Sequence, residues 1–253
     1  MKIVRDTWLH FGRAMGLSLR NPIWVLVGLT QPVFYLILFA PLLAKVVKAQ
    51  GFPGDDAYAV FVPGLLVQLS LFGGLFVGFS LIDEMRNGVI ERMRVTPTSR
   101  LAMLLGRSLR DVVVLLVQGS MLIALSIPFG LSIDAGGALA TLGLLALLGL
   151  GLSGLSYTLA LKLKSEDALA PLAQTVALPL LLLSGVLLPI SLAPTWLQRV
   201  ADANPLTHAV EAARSLFAGE LGETVVAQGV AVTVGLTAVC VTVAARAFSK
   251  GTT

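Results

Sequence analysis

Apolar residues run along this chain in six long stretches that are separated by short polar segments. The stretches cover residues 23–44, 58–82, 112–130, 138–161, 168–189 and 224–245, and none contains Asp, Glu, Lys, Arg or His. Each is close to the length of about 20 helical residues that crosses the hydrocarbon of a bilayer. The pattern predicts an all-α membrane protein with six transmembrane helices, numbered here as spans one to six.

A further helix is predicted in the first 22 residues, where apolar and charged positions alternate. Val4, Trp8 and Phe11 begin an apolar stripe that Met15 and Leu19 continue, while the basic residues lie mostly off it. We expect this amphipathic helix to lie flat on the cytoplasmic membrane surface, or to pack on other cytoplasmic parts of the molecule. The Asn-Pro pair at 21–22 predicts its end.

The outer segment, residues 190–223, contains a different pattern between spans five and six. Trp196 and Val200 lie on one short apolar face, Asn204-Pro205 interrupts it, and a second helical repeat follows until Gly219. Two short helices are predicted, which would dip into the outer leaflet or cover the exit of a pathway.

Composition places the chain in the membrane class, because 56% of its residues are hydrophobic and only 13% are charged. Lys45, Lys48, Arg199 and Arg214 lie on one predicted side of the membrane, and the other 14 of the 18 basic residues lie on the opposite side. Since cytoplasmic loops retain Lys and Arg, both termini are predicted to be cytoplasmic. This bias explains the net charge of +4 without a nucleic-acid partner.

The charged segment, residues 83–111, concentrates charge between spans two and three. If it is helical from residue 82 to 94, Ile82, Met85, Val89 and Met93 share one face, and its charged residues fall on another. Thr96-Pro97 would end that helix, and Thr98 or Ser99 would cap a second helix that enters span three. Two interpretations remain: a surface helix joined rigidly to two spans, or a solvated loop whose arginines anchor topology.

Two motifs resemble a known family. The pattern E-x-R-x-G-x-x-E-R-x-x-x-T-P-x-S-R runs from Glu84 to Arg100, and LLLLSGVLLPISLAPTWLQRVADANPLTHAVEAARSL covers residues 180–216. Both resemble the permeases of type-2 ABC exporters, above all those of the daunorubicin-type drug exporters. With the amphipathic helix and the six spans, the resemblance covers nearly the whole chain.

The resemblance implies one transmembrane domain over residues 1–253, with an interfacial helix at 1–22, a cytoplasmic coupling segment at 83–111 and outer re-entrant helices at 190–223. It implies that the coupling segment contacts an ATPase subunit through Glu84, Arg86, Glu91, Arg92, Arg94, Thr96 and Pro97. It places Pro189, Asn204, Pro205, Glu211 and Arg214 in an outer cap. Substrate contacts do not follow from the motifs.

Glutamines at membrane depth are candidates for lining a substrate path. Gln31, Gln68 and Gln174 are uncharged polar groups inside apolar stretches, as are Gln118 and Gln228. Such side chains either line a path or hydrogen-bond between helices.

No nucleotide-binding motif accompanies the spans. The sequence lacks G-x-x-x-x-G-K-[ST], so ATP and Mg²⁺ are expected to bind a separate ATPase subunit, and no cofactor, metal or catalytic residue is assigned to this chain. The resemblance implies two ATPase subunits, a second permease copy or paralogue, and a bacterial cytoplasmic (inner) membrane. The expected activity is ATP-driven export by alternating access. Amphipathic or lipophilic cargo is expected, drug or antibiotic-like, with lipids, glycans and peptides open.

Two other classes of function were weighed. A secondary transporter driven by an ion gradient usually needs ionisable groups inside its spans, and the six stretches have none. Gly151-Leu152-Ser153-Gly154 resembles the serine motif of rhomboid proteases, but the two histidines, His10 and His208, lie outside the stretches, and there is no HExxH. We interpret Gly151 and Gly154 as helix-packing residues.

Overall fold

The computed structural model describes residues 2–21, 23–39, 57–94, 99–131, 134–186, 190, 193–220 and 222–250, and nearly all of them are helical. The first helices are α1 (Lys2–Arg20) and α2 (Ile23–Phe34), which passes into a π-helical stretch (Tyr35–Phe39). The middle of the chain forms α3 (Ala57–Leu75), α4 (Gly78–Arg86), α5 (Val89–Arg94) and α6 (Arg100–Ser126). The remainder forms α7 (Ala135–Leu163), α8 (Glu166–Leu183), α9 (Thr195–Asp202), α10 (Pro205–Phe217) and α11 (Thr224–Lys250).

The predicted all-helical membrane fold is confirmed. Among the described residues, five helical segments are long and apolar enough to cross a bilayer: span two (α3 with α4), span three (α6), span four (α7), span five (α8) and span six (α11). Span one is described only as far as Phe39, and its predicted remainder at 40–44 lies outside the described residues. The axis of α1 is bent by 66° from the helix that follows it, so α1 does not extend span one.

Span two differs from the prediction of one uninterrupted helix over 58–82. The helix breaks at Phe76–Val77, between α3 and α4. Ser156 of span four accounts for the break, because its hydroxyl donates to the Leu75 carbonyl and accepts from the Gly78 N–H at 2.9 Å. A side chain can thus satisfy backbone groups that a break would leave unpaired in hydrocarbon.

The helix over 82–94, which was one of two interpretations of the charged segment, is interrupted in the structure. α4 ends at Arg86, and α5 begins at Val89 after a turn in which Gly88 has a φ of 65°. Glycine adopts this left-handed conformation without steric cost, so the Asn87-Gly88 pair ends the helix. The end predicted at Thr96-Pro97 lies outside the described residues.

The predicted cap on the next helix is confirmed. The Ser99 hydroxyl accepts a hydrogen bond from the Ala102 N–H at 3.0 Å, and α6 then runs without interruption into span three. A helix of 27 residues is about 40 Å long, which exceeds the hydrocarbon thickness by about 10 Å. The first turns of α6 therefore extend beyond the predicted start of span three at residue 112.

Small residues bring the spans into close contact. A Cβ atom on Gly74 would lie 2.6 Å from the Leu152 Cβ atom, and one on Gly151 would lie 2.9 Å from the Thr237 Cα atom. The Ser153 hydroxyl bonds to the Leu150 carbonyl of its own helix at 3.0 Å. These contacts support the packing interpretation of the Gly151–Gly154 motif.

The two predicted outer helices are confirmed as α9 and α10, with the break at Asn204-Pro205 and a left-handed Gly219 (φ 82°) after the second. α10 is not a loose cover, since eight of its 13 residues are buried, six of them in a cluster with spans two, four, five and six. Gly137 and Gly229 allow this insertion, because a Cβ atom on either would collide with the α10 backbone.

Candidate functional site

The short helix α5 is anchored to the spans by an apolar contact. Ile90 is only 6% exposed and belongs to a cluster with Ile82 of span two, Leu104 of span three and Tyr157 of span four. Leu169 of span five, with Ala244 and Phe248 of span six, completes the cluster. Ile90 therefore anchors α5 in a cluster to which five spans contribute, which favours the rigid surface helix over the solvated loop.

An ion pair fixes the end of span two to span three. The Arg107 guanidinium donates to the Glu84 carboxylate, and the Arg107 residue is only 5% exposed. A charge buried to this extent needs a partner, since its desolvation is otherwise uncompensated. Glu84, predicted as a contact to an ATPase, thus faces span three in this structure.

A second polar group joins spans three and four beneath that ion pair. Asp111 is 2% exposed and accepts a hydrogen bond from the Tyr157 hydroxyl at 2.5 Å. The Arg110 Nε atom lies 3.2 Å from the other Asp111 oxygen, close enough for an ion pair but without hydrogen-bond geometry. The two helices are consequently locked at the depth where the charged segment meets them.

A weaker contact links the charged segment to span five. Arg86 donates to Glu166, the first residue of α8, at 3.3 Å, and both side chains remain substantially exposed. Exposed pairs of this kind contribute about 0–1 kcal/mol because water and salt screen them. Arg86, another predicted coupling residue, therefore holds a contact that can exchange at low energetic cost.

The other predicted coupling residues are described to different extents. Arg92 is exposed and donates to the Asn87 carbonyl at 3.3 Å, across the turn before α5. The side chains of Glu91 and Arg94 lie outside the described part of the chain, as do Thr96 and Pro97. Their predicted contacts stay predictions.

Helix α1 packs its polar side against α6, with Asp6 buried at 3% exposure. The approach is closest at Gly106, where a Cβ atom would lie 2.6 Å from the His10 Cβ atom and 2.8 Å from the Thr7 carbonyl oxygen. Val4 and Trp8 on the opposite side stay exposed. α1 therefore packs on the protein and keeps an apolar stripe free, which suits the interfacial position predicted for it.

Helix α1 also contacts α5, since Arg13 donates to the Met93 sulfur at 2.8 Å. Near that contact, burial lowers the pKa of His10 below its ordinary value, and the nearby Arg107 and Arg13 guanidinium groups lower it further. Asp6 and Glu84 act in the opposite direction with smaller effect. His10 is thus held neutral, and its Nε2 atom is buried without a hydrogen-bond partner among the described residues.

The outer cap is fixed by side chains that bond to carbonyl groups. Asn204 caps α10 by accepting from the Leu206 N–H at 3.0 Å, and it donates to the Leu180 carbonyl of span five at 2.8 Å. Arg214 donates to the Val60 carbonyl at 3.0 Å and to the Gly185 carbonyl at 2.7 Å. The cap is thereby tied to the outer ends of spans two and five.

Three more residues predicted for the cap have simpler positions. Pro205 is the first residue of α10, where its missing N–H costs nothing, and Glu211 is exposed. Pro189 lies outside the described residues.

The glutamines predicted for a substrate path are not brought together. Gln31 and Gln174 are exposed on spans one and five, and Gln68 of span two is 1% exposed. Both amide atoms of Gln68 lack a hydrogen-bond partner within the described ranges. Gln118, in contrast, donates to the Val25 carbonyl of span one at 2.8 Å, which is an interhelical bond of the kind predicted.

Four residues that hold this end of the bundle together were not predicted from the sequence: Arg107, Asp111, Tyr157 and Ser156. The predicted start of span three at residue 112 placed Arg107 and Asp111 outside the span, on the helix expected to lead into it, and gave them no role. The available signal was their four-residue spacing inside a helical pattern, which puts both on one face of α6. Ser156 had no signal, because its partners are 78 and 81 residues away.

These features define a multi-pass helical membrane protein whose charged segment is joined to its spans and whose outer helix α10 is inserted between them. The chain belongs to the ABC-2 type transporter family of permeases, whose model matches residues 5–218.

Individual relatives agree with that assignment. The chain is 27% identical over 238 residues to the daunorubicin resistance ABC transporter permease protein of Streptomyces coeruleorubidus, covering 93% of this chain and 83% of that protein. It is 30% identical over 200 residues to a putative transport permease of Cyanophora paradoxa, covering 78% and 69%. It is 23% identical over 167 residues to a probable multidrug ABC transporter permease of Escherichia coli K12, covering 65% and 45%.

Proposed function

We propose that this chain is the membrane-spanning subunit of an ATP-driven exporter in a bacterial cytoplasmic membrane. Two ATPase subunits bind ATP and Mg²⁺, and a second permease, identical or related, completes the translocation path. This chain itself binds no cofactor and catalyses no reaction. Its task is to convert motion of the ATPases into alternating access of a central cavity formed by spans one, two and five of the paired permeases.

The docking of α5 is the observation that carries the proposal. Ile90 sits in an apolar cluster with five spans, and the Glu84–Arg107 pair joins the same segment to span three. A push on α5 would therefore reach the spans through Ile90 and through the Glu84–Arg107 pair. Arg92 is exposed on α5 and offers a polar contact to a partner, and Glu91 and Arg94 are proposed to do the same.

An amphipathic or lipophilic cargo fits the proposal. The exposed faces of spans one and five combine apolar residues such as Phe34 and Val176 with the uncharged amides of Gln31 and Gln174. A drug or antibiotic-like molecule is the first candidate, since relatives are named for daunorubicin resistance and for multidrug transport.

The buried carboxylate of span three, Asp111, does not support a transporter driven by an ion gradient. Asp111 is already paired with the Tyr157 hydroxyl and with Arg110, so it is occupied as a structural group. A proton or cation relay would need an ionisable group open to the pathway.

The test is ATP-dependent uptake of daunorubicin into inverted vesicles from cells that contain the complete complex. Glu91→Ala combined with Arg92→Ala is expected to abolish uptake while the chain still inserts into the membrane. Arg199→Ala, which removes an exposed arginine from the outer helix α9, is the matched control and should leave uptake intact. Normal uptake by the double variant would refute the role given to α5.

A further inference from the structure

Three phenylalanines of span two form a stack with parallel rings. The ring centroids of Phe72 and Phe76 are 6.0 Å apart with planes inclined by 6°, and those of Phe76 and Phe79 are 5.5 Å apart with planes inclined by 10°. All three side chains are partly exposed. Offset parallel stacking is one of the two arrangements that aromatic pairs prefer, and a flat aromatic molecule would contact exposed ring surface in the same way.

The phenylalanine stack crosses the break in span two. The Phe76 N–H still donates to the Phe72 carbonyl at 3.1 Å, so these two rings follow the geometry of α3, whereas Phe79 lies in α4. Phe72 packs against the cluster that contains α10, and Phe79 packs against the cluster that contains Ile90. Movement of α4 relative to α3 would therefore change the position of Phe79 against Phe76.

Gln68 lies one helical turn before Phe72 and on the same face of span two. Its amide is enclosed at 1% exposure, yet neither the oxygen nor the nitrogen has a hydrogen-bond partner among the described residues. Burial of an unpaired amide is unfavourable and uncommon in folded proteins. The group offers a free donor and a free acceptor to a molecule that reaches it when the spans separate.

From these observations we infer that Phe72, Phe76 and Phe79 form a contact site for a planar aromatic cargo, with the Gln68 amide as its polar end. The inference rests on the proposed function, because a cargo reaches span two only if the spans enclose a pathway. Because the stack crosses the break, a movement of the charged segment would change the geometry of this site.

The test measures binding to the full chain in lipid nanodiscs with two probes of equal charge. Ethidium is a flat aromatic cation, and tetraphenylphosphonium carries phenyl rings that cannot lie in one plane. Phe76→Leu keeps apolar volume but removes the ring, so it should weaken ethidium binding about tenfold and change tetraphenylphosphonium binding less than twofold. Phe76→Trp should retain ethidium binding.

Two further variants give the inference its controls. Phe129→Ala removes a ring from a separate stack with Tyr58, whose centroids are 6.0 Å apart, and should change neither affinity. Gln68→Leu removes the unpaired amide, so it should weaken ethidium binding while the thermal stability of the chain stays equal or rises.

The outcomes separate the site from the proposed function. The proposed site is refuted if the parent chain copurifies with an ATPase but binds no ethidium. It is also refuted if the Phe76→Leu variant binds ethidium like the parent. Neither result would contradict the proposed exporter function. Ethidium binding that depends on Phe76 in a chain without any associated ATPase retains the site and overturns the exporter.

Discussion

At the scale of single residues, Gly106 determines how closely α1 approaches α6. Gly106→Ala would place a Cβ atom 2.6 Å from the His10 Cβ atom and 2.9 Å from the Phe11 nitrogen, so α1 has to move away. Overpacking of this kind typically costs about 1–3 kcal/mol. We expect faster hydrogen–deuterium exchange over residues 2–20 in this variant, measured by mass spectrometry.

Gly12→Ala is the matched control, because nothing lies within 4 Å of a Cβ atom at Gly12. Alanine is favoured over glycine inside a helix by about 1 kcal/mol. Hydrogen–deuterium exchange over α1 in this variant should therefore be equal to or slower than exchange in the parent chain. Equal exchange in both variants would show that α1 is not held at Gly106.

His10 makes the docking of α1 dependent on pH. Its pKa is lowered in the docked state, chiefly by burial and then by Arg107 and Arg13, so the undocked helix binds a proton at a higher pH than the docked helix. Stability of docking is therefore complete above the ordinary histidine pKa of about 6.5 and declines as the pH falls below it. Hydrogen–deuterium exchange over residues 2–20, corrected for intrinsic rates, should become faster as the pH is lowered from 7.5 to 5.5.

His10→Gln should remove this pH dependence, because it keeps a neutral polar side chain. His208→Gln is the control, since His208 lies on the outer helix α10 and contacts the Asp202 carbonyl at 3.0 Å. A pH response that survives in His10→Gln would assign the effect to other groups.

Local residue signals were readable from the sequence, and contacts between helices were not. Ser99 and Asn204 were correctly identified as helix ends, because each bonds to backbone within three residues of itself. The Glu84–Arg107 pair could not be predicted, since it depends on how span two packs on α6. Gln68 was selected for its polarity, but its lack of a partner is a property of the packed bundle.

At the scale of elements, the break in span two depends on a side chain of span four. Ser156→Ala would leave the Leu75 carbonyl and the Gly78 N–H without their partner, and an unpaired buried group costs about 1–3 kcal/mol. We expect the variant to have a lower apparent Tm in detergent, as measured by a fluorescence-based unfolding assay.

Ser153→Ala is the control for this change, because Ser153 is equally buried in the same helix but bonds only to the Leu150 carbonyl of that helix. Its apparent Tm should stay close to that of the parent. If the two variants lower the Tm equally, Ser156 has no special part in the break.

Six apolar stretches predicted the spans because length and composition are enough to identify a helix that crosses hydrocarbon. The same reasoning could not locate the break at Phe76–Val77, since the residues there are as apolar as their neighbours and the stabilising hydroxyl comes from another helix. The turn at Asn87-Gly88 did have a local signal, because an Asn-Gly pair is typical of turns. The helical spacing of the apolar residues around it pointed instead to a continuous helix.

At the scale of the whole molecule, the described contacts of charged side chains with the spans lie at the two ends of the bundle. The Glu84–Arg107 and Asp111–Tyr157 contacts hold the cytoplasmic end, and Arg214 with Asn204 holds the outer cap to spans two and five. Between them, span two carries the break and the phenylalanine stack. This arrangement suits a subunit that receives force at one end and changes shape in the middle.

The central claim is that an ATPase delivers that force, and copurification tests it most directly. The tagged chain would be extracted from its native membrane in mild detergent, its partners identified by mass spectrometry, and the ATPase activity of the sample measured. We expect a subunit with a P-loop to accompany the parent chain and to be lost from the Glu91→Ala, Arg92→Ala variant. A chain that retains no ATPase, in vesicles where an ion gradient alone drives solute flux, would contradict the account.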